Sequence, residues 1–139
     1  MPSSRVAVDT NVVLRFLLED SPAEAALVER FLRRCRGPEG RAFVSVLVVQ
    51  ECVWVLTGSK LSRDKAGVAR ALFTLIRGEP FRVECEDAVL AACADWLAGP
   101  ADFSDYLIGR VNAERGYPQT ATLEKRRFKG SPVFRSLER

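Results

Sequence analysis

Four short stretches carry acids placed where they could do chemistry. In RVAVDTNVVLRFLLED (residues 5–20) the apolar run Val6-Ala7-Val8 stops on Asp9, with Thr10 and Asn11 beside it, and the chain then turns apolar again. In VSVLVVQECVWVL the only charge is Glu51, whose helical neighbours three or four places away are Leu47, Val48, Trp54 and Val55. ADFSDYLI holds Asp102 and Asp105, and Glu124 ends the run Thr120-Ala121-Thr122-Leu123 as Asp9 ends the first. A carboxylate among apolar neighbours does not stay ionised without a partner, because isolated burial costs several kcal/mol or more.

Each acid also has a plain structural alternative. Glu51 could sit in a buried salt bridge or on a solvent-facing sliver of helix. Asp102 suits a helix cap, with Asp105 at the third helical position in capping-box spacing, and Thr10 or Asn11 could cap the helix that follows Asp9. Glu124 could pair with Lys125 or Arg126. Asp105, followed by Tyr106, Leu107 and Ile108, is expected to point inward.

The chain has no histidine, so Ser-His-Asp and Cys-His triads and His-ligated zinc are excluded. Catalysis must then run on carboxylates, hydroxyls, lysines or a bound metal. Cys35, Cys52, Cys85 and Cys93 show no CxxC spacing and fit small buried hydrophobes in a reducing compartment. Several carboxylates at one spot repel one another and need a cation. Hard oxygen donors suit Mg²⁺ or Mn²⁺. Asp9 then ends its strand as a metal ligand, with Thr10 and Asn11 orienting it or a bound water.

The elements that must position these acids alternate. Residues 5–9 read as a buried strand and Asn11 to about Glu19 as a helix. Ser21-Pro22-Ala23-Glu24 reads as a capping box opening a helix that stops at Gly37-Pro38. Arg41–Ser45 reads as a strand, and Val46–Thr57 as a helix so apolar that it should be nearly surrounded. A helix over Ser62–Arg77, a strand at Pro80–Val83, helices over Ala88–Leu97 and Phe103–Arg115, a strand at Gln119–Leu123 and a last strand at Pro132–Phe134 complete the chain. This alternation predicts an α/β domain with a mostly parallel sheet, in which function gathers at the carboxyl ends of the strands. Asp9 and Glu124 are expected at that edge, with Glu51 and Asp105 on adjoining helices. At 139 residues, 47% hydrophobic and without a membrane-length apolar run, the chain reads as a single cytoplasmic domain over 1–139.

VAVDTNVVLRFLLED, FVSVLVVQECVWVL, ADFSDYLI and TATLEKRRF, in this order, resemble the PIN domain and more narrowly the VapC toxins of bacterial toxin–antitoxin pairs. The resemblance implies a three-layer α/β/α fold with a mostly parallel central sheet of four to five strands. It implies Mg²⁺- or Mn²⁺-dependent endoribonuclease activity on single-stranded or looped RNA, leaving a 5′-phosphate and a 3′-hydroxyl. Asp9, Glu51 and Asp105 correspond to the three core metal acids. Glu124 falls where the family usually has a fourth aspartate, so its part in the site departs from the pattern, and Asp102 ranks as accessory. A small VapB-like antitoxin and a homodimer are the implied partners, with Leu14, Phe16 and Leu18 available for a dimer face.

A net charge of +3 says little about nucleic acid, but its distribution says more. Lys125, Arg126, Arg127, Lys129, Arg135 and Arg139 crowd the end of the chain, where they could contact RNA phosphates; a solvated tail or an antitoxin-docking surface is the alternative. Two other classes compete with the nuclease. One is a PIN-like module that binds RNA or protein without cleaving. The other is an aspartate-nucleophile phosphotransferase, which wants a second aspartate where this chain has Asn11.

Overall fold

Apolar spacing sets where the helices form, while the strands are shorter than that spacing suggests. The computed structural model describes residues 5–18, 21–35 and 37–137. The chain divides into two compact units at the Glu84/Cys85 boundary.

In the first unit, the segment before Asp9 runs parallel to β1 (Ala42–Val44). The Val8 N–H donates to the Phe43 carbonyl at 2.9 Å, and the Phe43 N–H donates to the Val6 carbonyl at 3.0 Å. The expected strand over 5–9 is thereby reduced to one bridge, Ala7 to Phe43. On its other side β1 pairs in parallel with β2 (Phe81–Val83), with Ala42 opposite Phe81 and Val44 opposite Val83. Parallel neighbours need a long crossover. Here it is α4 (Val46–Thr57) and α5 (Lys65–Arg77), while α1 (Thr10–Leu18), α2 (Pro22–Leu32) and the single turn α3 (Gly37–Gly40) precede β1. Glu19, at the expected end of the first helix, lies outside the described residues.

Val13, Val49, Leu56, Val68, Leu72, Leu75 and Phe81 of this unit are almost completely buried, each adding about 1.5–3 kcal/mol of burial. Leu14 is buried too, and Phe16 packs edge-on against Phe81 at 4.9 Å. Two of the three residues read as a dimer face are therefore engaged inside this unit. The Ser21 capping box also does not form. Ser21 makes no side-chain cap bond, and the Glu24 carboxylate pairs with Arg15, whose Nε donates to Oε1 at 2.8 Å. Nor is α4 surrounded: Leu47 is 78% exposed and Trp54 72%.

The second unit is built on α6 (Glu86–Ala98) and α7 (Phe103–Glu114). Arg110 joins them through two bonds to Asp95, at 2.7 and 2.8 Å, and Trp96 meets Phe103 edge-on at 5.6 Å. Strands β3 (Thr120–Thr122) and β4 (Phe134–Ser136) form a parallel pair. Gly109 lets this pair approach α7, since a Cβ there would lie 2.6 Å from Phe134 Cε2. Phe134 is in turn stacked on Phe128 at 3.8 Å.

Among the described residues the sheet structure is thus two two-stranded parallel sheets, one in each unit, instead of a central sheet of four to five strands. The physical reason is strand length. Three-residue strands offer few ladder groups, and β3 uses the Thr120 N–H (to the Val133 carbonyl) and the Thr122 carbonyl (from the Leu137 N–H) within its own unit. The last strand also begins two residues later than expected, after Pro132, which has no N–H to give a ladder. Among the described residues no helix is long and apolar enough to cross a membrane.

Candidate metal centre

Asp9 sits where the first strand hands over to α1. Its Oδ1 accepts the Val12 N–H at 3.1 Å, which makes Asp9 itself the cap of that helix, a role the sequence reading had offered to Thr10 and Asn11. Thr10 is buried and Asn11 exposed. The Asp9 side chain is exposed and, among the described residues, has no ion-pair partner.

Glu51 lies midway along α4. It is exposed and also lacks an ion pair among the described residues, which matches the solvent-facing alternative and not the buried salt bridge. The reason is that Leu47 and Trp54, its neighbours on the helix surface, are themselves uncovered. The opposite face carries Cys52 at 0% exposure, and burial, with the Glu51 carboxylate adding to it, pushes that thiol up to about 12. Burial likewise lifts Cys93 to about 11. All four cysteines are free.

One acid of this unit escaped the sequence reading. Glu84 follows β2, its backbone N–H donates to the Val44 carbonyl at 2.8 Å, and its Oε1 accepts the Val46 N–H at 2.9 Å at the start of α4. Continuing the strand register sets Asp9, Ser45 and Glu84 in one row at the carboxyl edge, with Asp9 and Glu84 about 10 Å apart at Cα. The signal was present in the sequence: Glu84 ends an apolar strand as Asp9 does. Arg15 lines a cavity of about 610 Å³ along α1 and α2.

In the second unit Asp102 caps α7, and Asp105 reaches back so that its Oδ2 accepts the Asp102 N–H at 3.3 Å. The Asp105 side chain is 38% exposed, not inward, and lies 4.0 Å from Arg127 Nη1. Glu124 is exposed after β3; its own N–H donates to Thr122 Oγ1 at 3.1 Å, and its carboxylate makes no ion pair among the described residues. The segment before Asp9 pairs with β1 and the one before Glu124 pairs with β4, so the two acids end strands of different sheets, not one shared edge.

Lys125, Arg126, Arg127 and Lys129 are all exposed. Three of them, Arg126, Arg127 and Lys129, line a cavity of about 320 Å³ together with Tyr106 and Phe128. Arg135 is exposed on β4, and Arg139 lies outside the described residues.

The donor chemistry of Asp9, Glu51 and Asp105 suits a hard divalent ion. Among the described residues no group of three or more Cys, Asp or Glu is placed to hold a metal. Asp9, Asp105 and Glu84 each give a carboxylate oxygen to a helix start instead.

No curated protein and no solved structure matches the chain. The model of the PIN domain family matches residues 6–111, a span that takes in Asp9, Glu51 and Asp105 and stops before Glu124 and the basic tail. PIN domains are generally metal-dependent nucleases. With the match running from the first strand through most of α7, the chain belongs to the PIN domain family.

Proposed function

We propose that this chain, acting as a single domain over residues 1–139, is an endoribonuclease that hydrolyses RNA phosphodiester bonds with Mg²⁺ or Mn²⁺. Asp9, Glu51 and Asp105 are its metal-holding acids and Glu124 a fourth catalytic acid. Thr10, Asn11 and Asp102 are accessory, and Lys125, Arg126, Arg127 and Lys129 engage RNA phosphates. In the same reading it is a cytoplasmic VapC-like toxin that forms a homodimer and is held in check by a small VapB-like antitoxin.

The observation that carries this reading is the family match over 6–111. Exposure of Asp9, Glu51 and the four cations supports it, since each is open to a ligand from solvent. The test is RNA cleavage by the purified full chain, first with chelator and then with added Mn²⁺ or Mg²⁺. Cleavage should appear only with metal and leave 5′-phosphate and 3′-hydroxyl ends. Asp9→Asn should lower it by about 10²-fold or more.

A second reading, a PIN-like module that binds RNA or protein without cutting, is favoured by the glutamate at position 124, where the family usually has an aspartate. Metal-independent RNA binding with no cleavage under any of these conditions would decide for it.

A further inference from the structure

The exposed stripe of α4 has no role in the reading above beyond Glu51. Leu47, Glu51 and Trp54 follow one another at helical spacing, and all three are exposed, while Val49, Cys52, Val53 and Leu56 fill the opposite face. Trp54 is an indole left in water at 72% exposure, one turn from an acid. The turn that follows is bound back onto the same helix end. Leu61 and Ser62 N–H groups donate to the Gly58 carbonyl at 3.2 and 2.7 Å, and the Arg63 N–H donates to the Leu56 carbonyl at 2.9 Å. Ser62 takes a left-handed φ of 47° to close this turn, and its hydroxyl donates to the Ser59 carbonyl at 3.1 Å. Lys60 and Arg63 are thereby held at the end of α4. Both are exposed, and among the described residues neither makes an ion pair.

Acid, indole and cations therefore succeed one another along a single helix end. The rise from Glu51 to Leu56, where Arg63 is anchored, is about 7.5 Å. We propose that Trp54 is a stacking platform for a base of single-stranded RNA next to the bond being cut, with Lys60 and Arg63 on the adjoining phosphates. The inference rests on the RNA reading of the preceding section and names a specificity-determining residue for it.

The chemistry of the stripe selects this occupant. The exposed cations held beside the indole, Lys60 and Arg63, suit phosphate groups. A stable protein interface also needs about 1,000 Å² or more, and this stripe offers two large apolar side chains. A stacked base needs only the face of one indole, and leaves Glu51 in water.

The test uses the full chain in chelator, so that binding is read without cleavage. Trp54 and Trp96 are the only tryptophans, and Trp96 is buried, so quenching reports on Trp54. Single-stranded RNA oligomers should quench emission, and an abasic oligomer of equal charge should not. Trp54→Ala should weaken binding by about five- to 150-fold, with Trp54→Phe restoring most of it. Lys60→Ala with Arg63→Ala should flatten the slope of log affinity against log salt by about 1.4.

Equal binding of abasic and base-bearing oligomers, with Trp54→Ala unchanged, would overturn the inference while leaving the nuclease reading standing. So would a shift from dimer to monomer in Trp54→Ala with RNA affinity intact. Base-dependent quenching without any metal-dependent cleavage would do the reverse. A wild-type chain that binds no RNA at all sinks both.

Discussion

Asp9 is asked to do two things, and they separate on substitution. As the cap of α1 it accepts the Val12 N–H at 3.1 Å, and α1 carries the buried Val13 and Leu14, so fraying its first turn loosens the first unit. Removing an N-cap by alanine costs about 0.5–2 kcal/mol, and losing a negative charge at a helix start costs about 0.3–1 kcal/mol more. Asparagine caps as well as aspartate, so Asp9→Asn loses only the second contribution. Asp9→Ala should therefore destabilise by about 1–2 kcal/mol and Asp9→Asn by about 0.5 kcal/mol, a difference of roughly 4 °C in Tm for a chain of this size. Urea unfolding followed by far-UV circular dichroism measures this, with RNA cleavage assayed on the same preparations. Both variants should lose cleavage, while only the alanine loses substantial stability. Equal stabilities for the two would refute the cap assignment, and full cleavage by Asp9→Asn would refute the catalytic one.

Gly109→Ala should destabilise by about 1 kcal/mol in thermal melts: the gain of about 1 kcal/mol in helix propensity is outweighed by overpacking of 1–3 kcal/mol. The new methyl would meet Phe134 Cε2 at 2.6 Å and Val133 Cγ2 at 3.1 Å, and Phe134 is backed by its stack on Phe128; a more stable variant would show the ring free to move. Because burial lifts Cys52 to about 12 and Cys93 to about 11, the folded state keeps protons that the unfolded chain releases above about pH 9. This stabilisation is complete below pH 9 and is lost as pH climbs toward 11–12, by up to about 1.4 kcal/mol per unit for each thiol. Urea midpoints measured from pH 8 to 11 should fall, less steeply in Cys93→Ala; an unchanged slope would count against the buried thiols.

Sequence by itself placed the helices carrying Glu51 and Asp105, because apolar spacing and the breakers Gly58 and Gly99-Pro100 act within a few residues. It also held the Asp102–Asp105 capping box, a bond between groups three apart, and the PIN motifs that the family match spans. Local rules misled elsewhere: Ser21 makes no side-chain cap and Glu24 pairs with Arg15, while Leu47 and Trp54, apolar by type, remain uncovered beside the solvated Glu51. Strand partners were equally out of reach, since hydropathy marks where a strand lies and not which backbone groups will meet it. Only the tertiary structure decided that Glu84 reaches the start of α4 and that β3 pairs with β4. Such choices are contests between hydrogen-bond and ion-pair partners brought close by the fold, and proximity in space is not written in residue type or spacing.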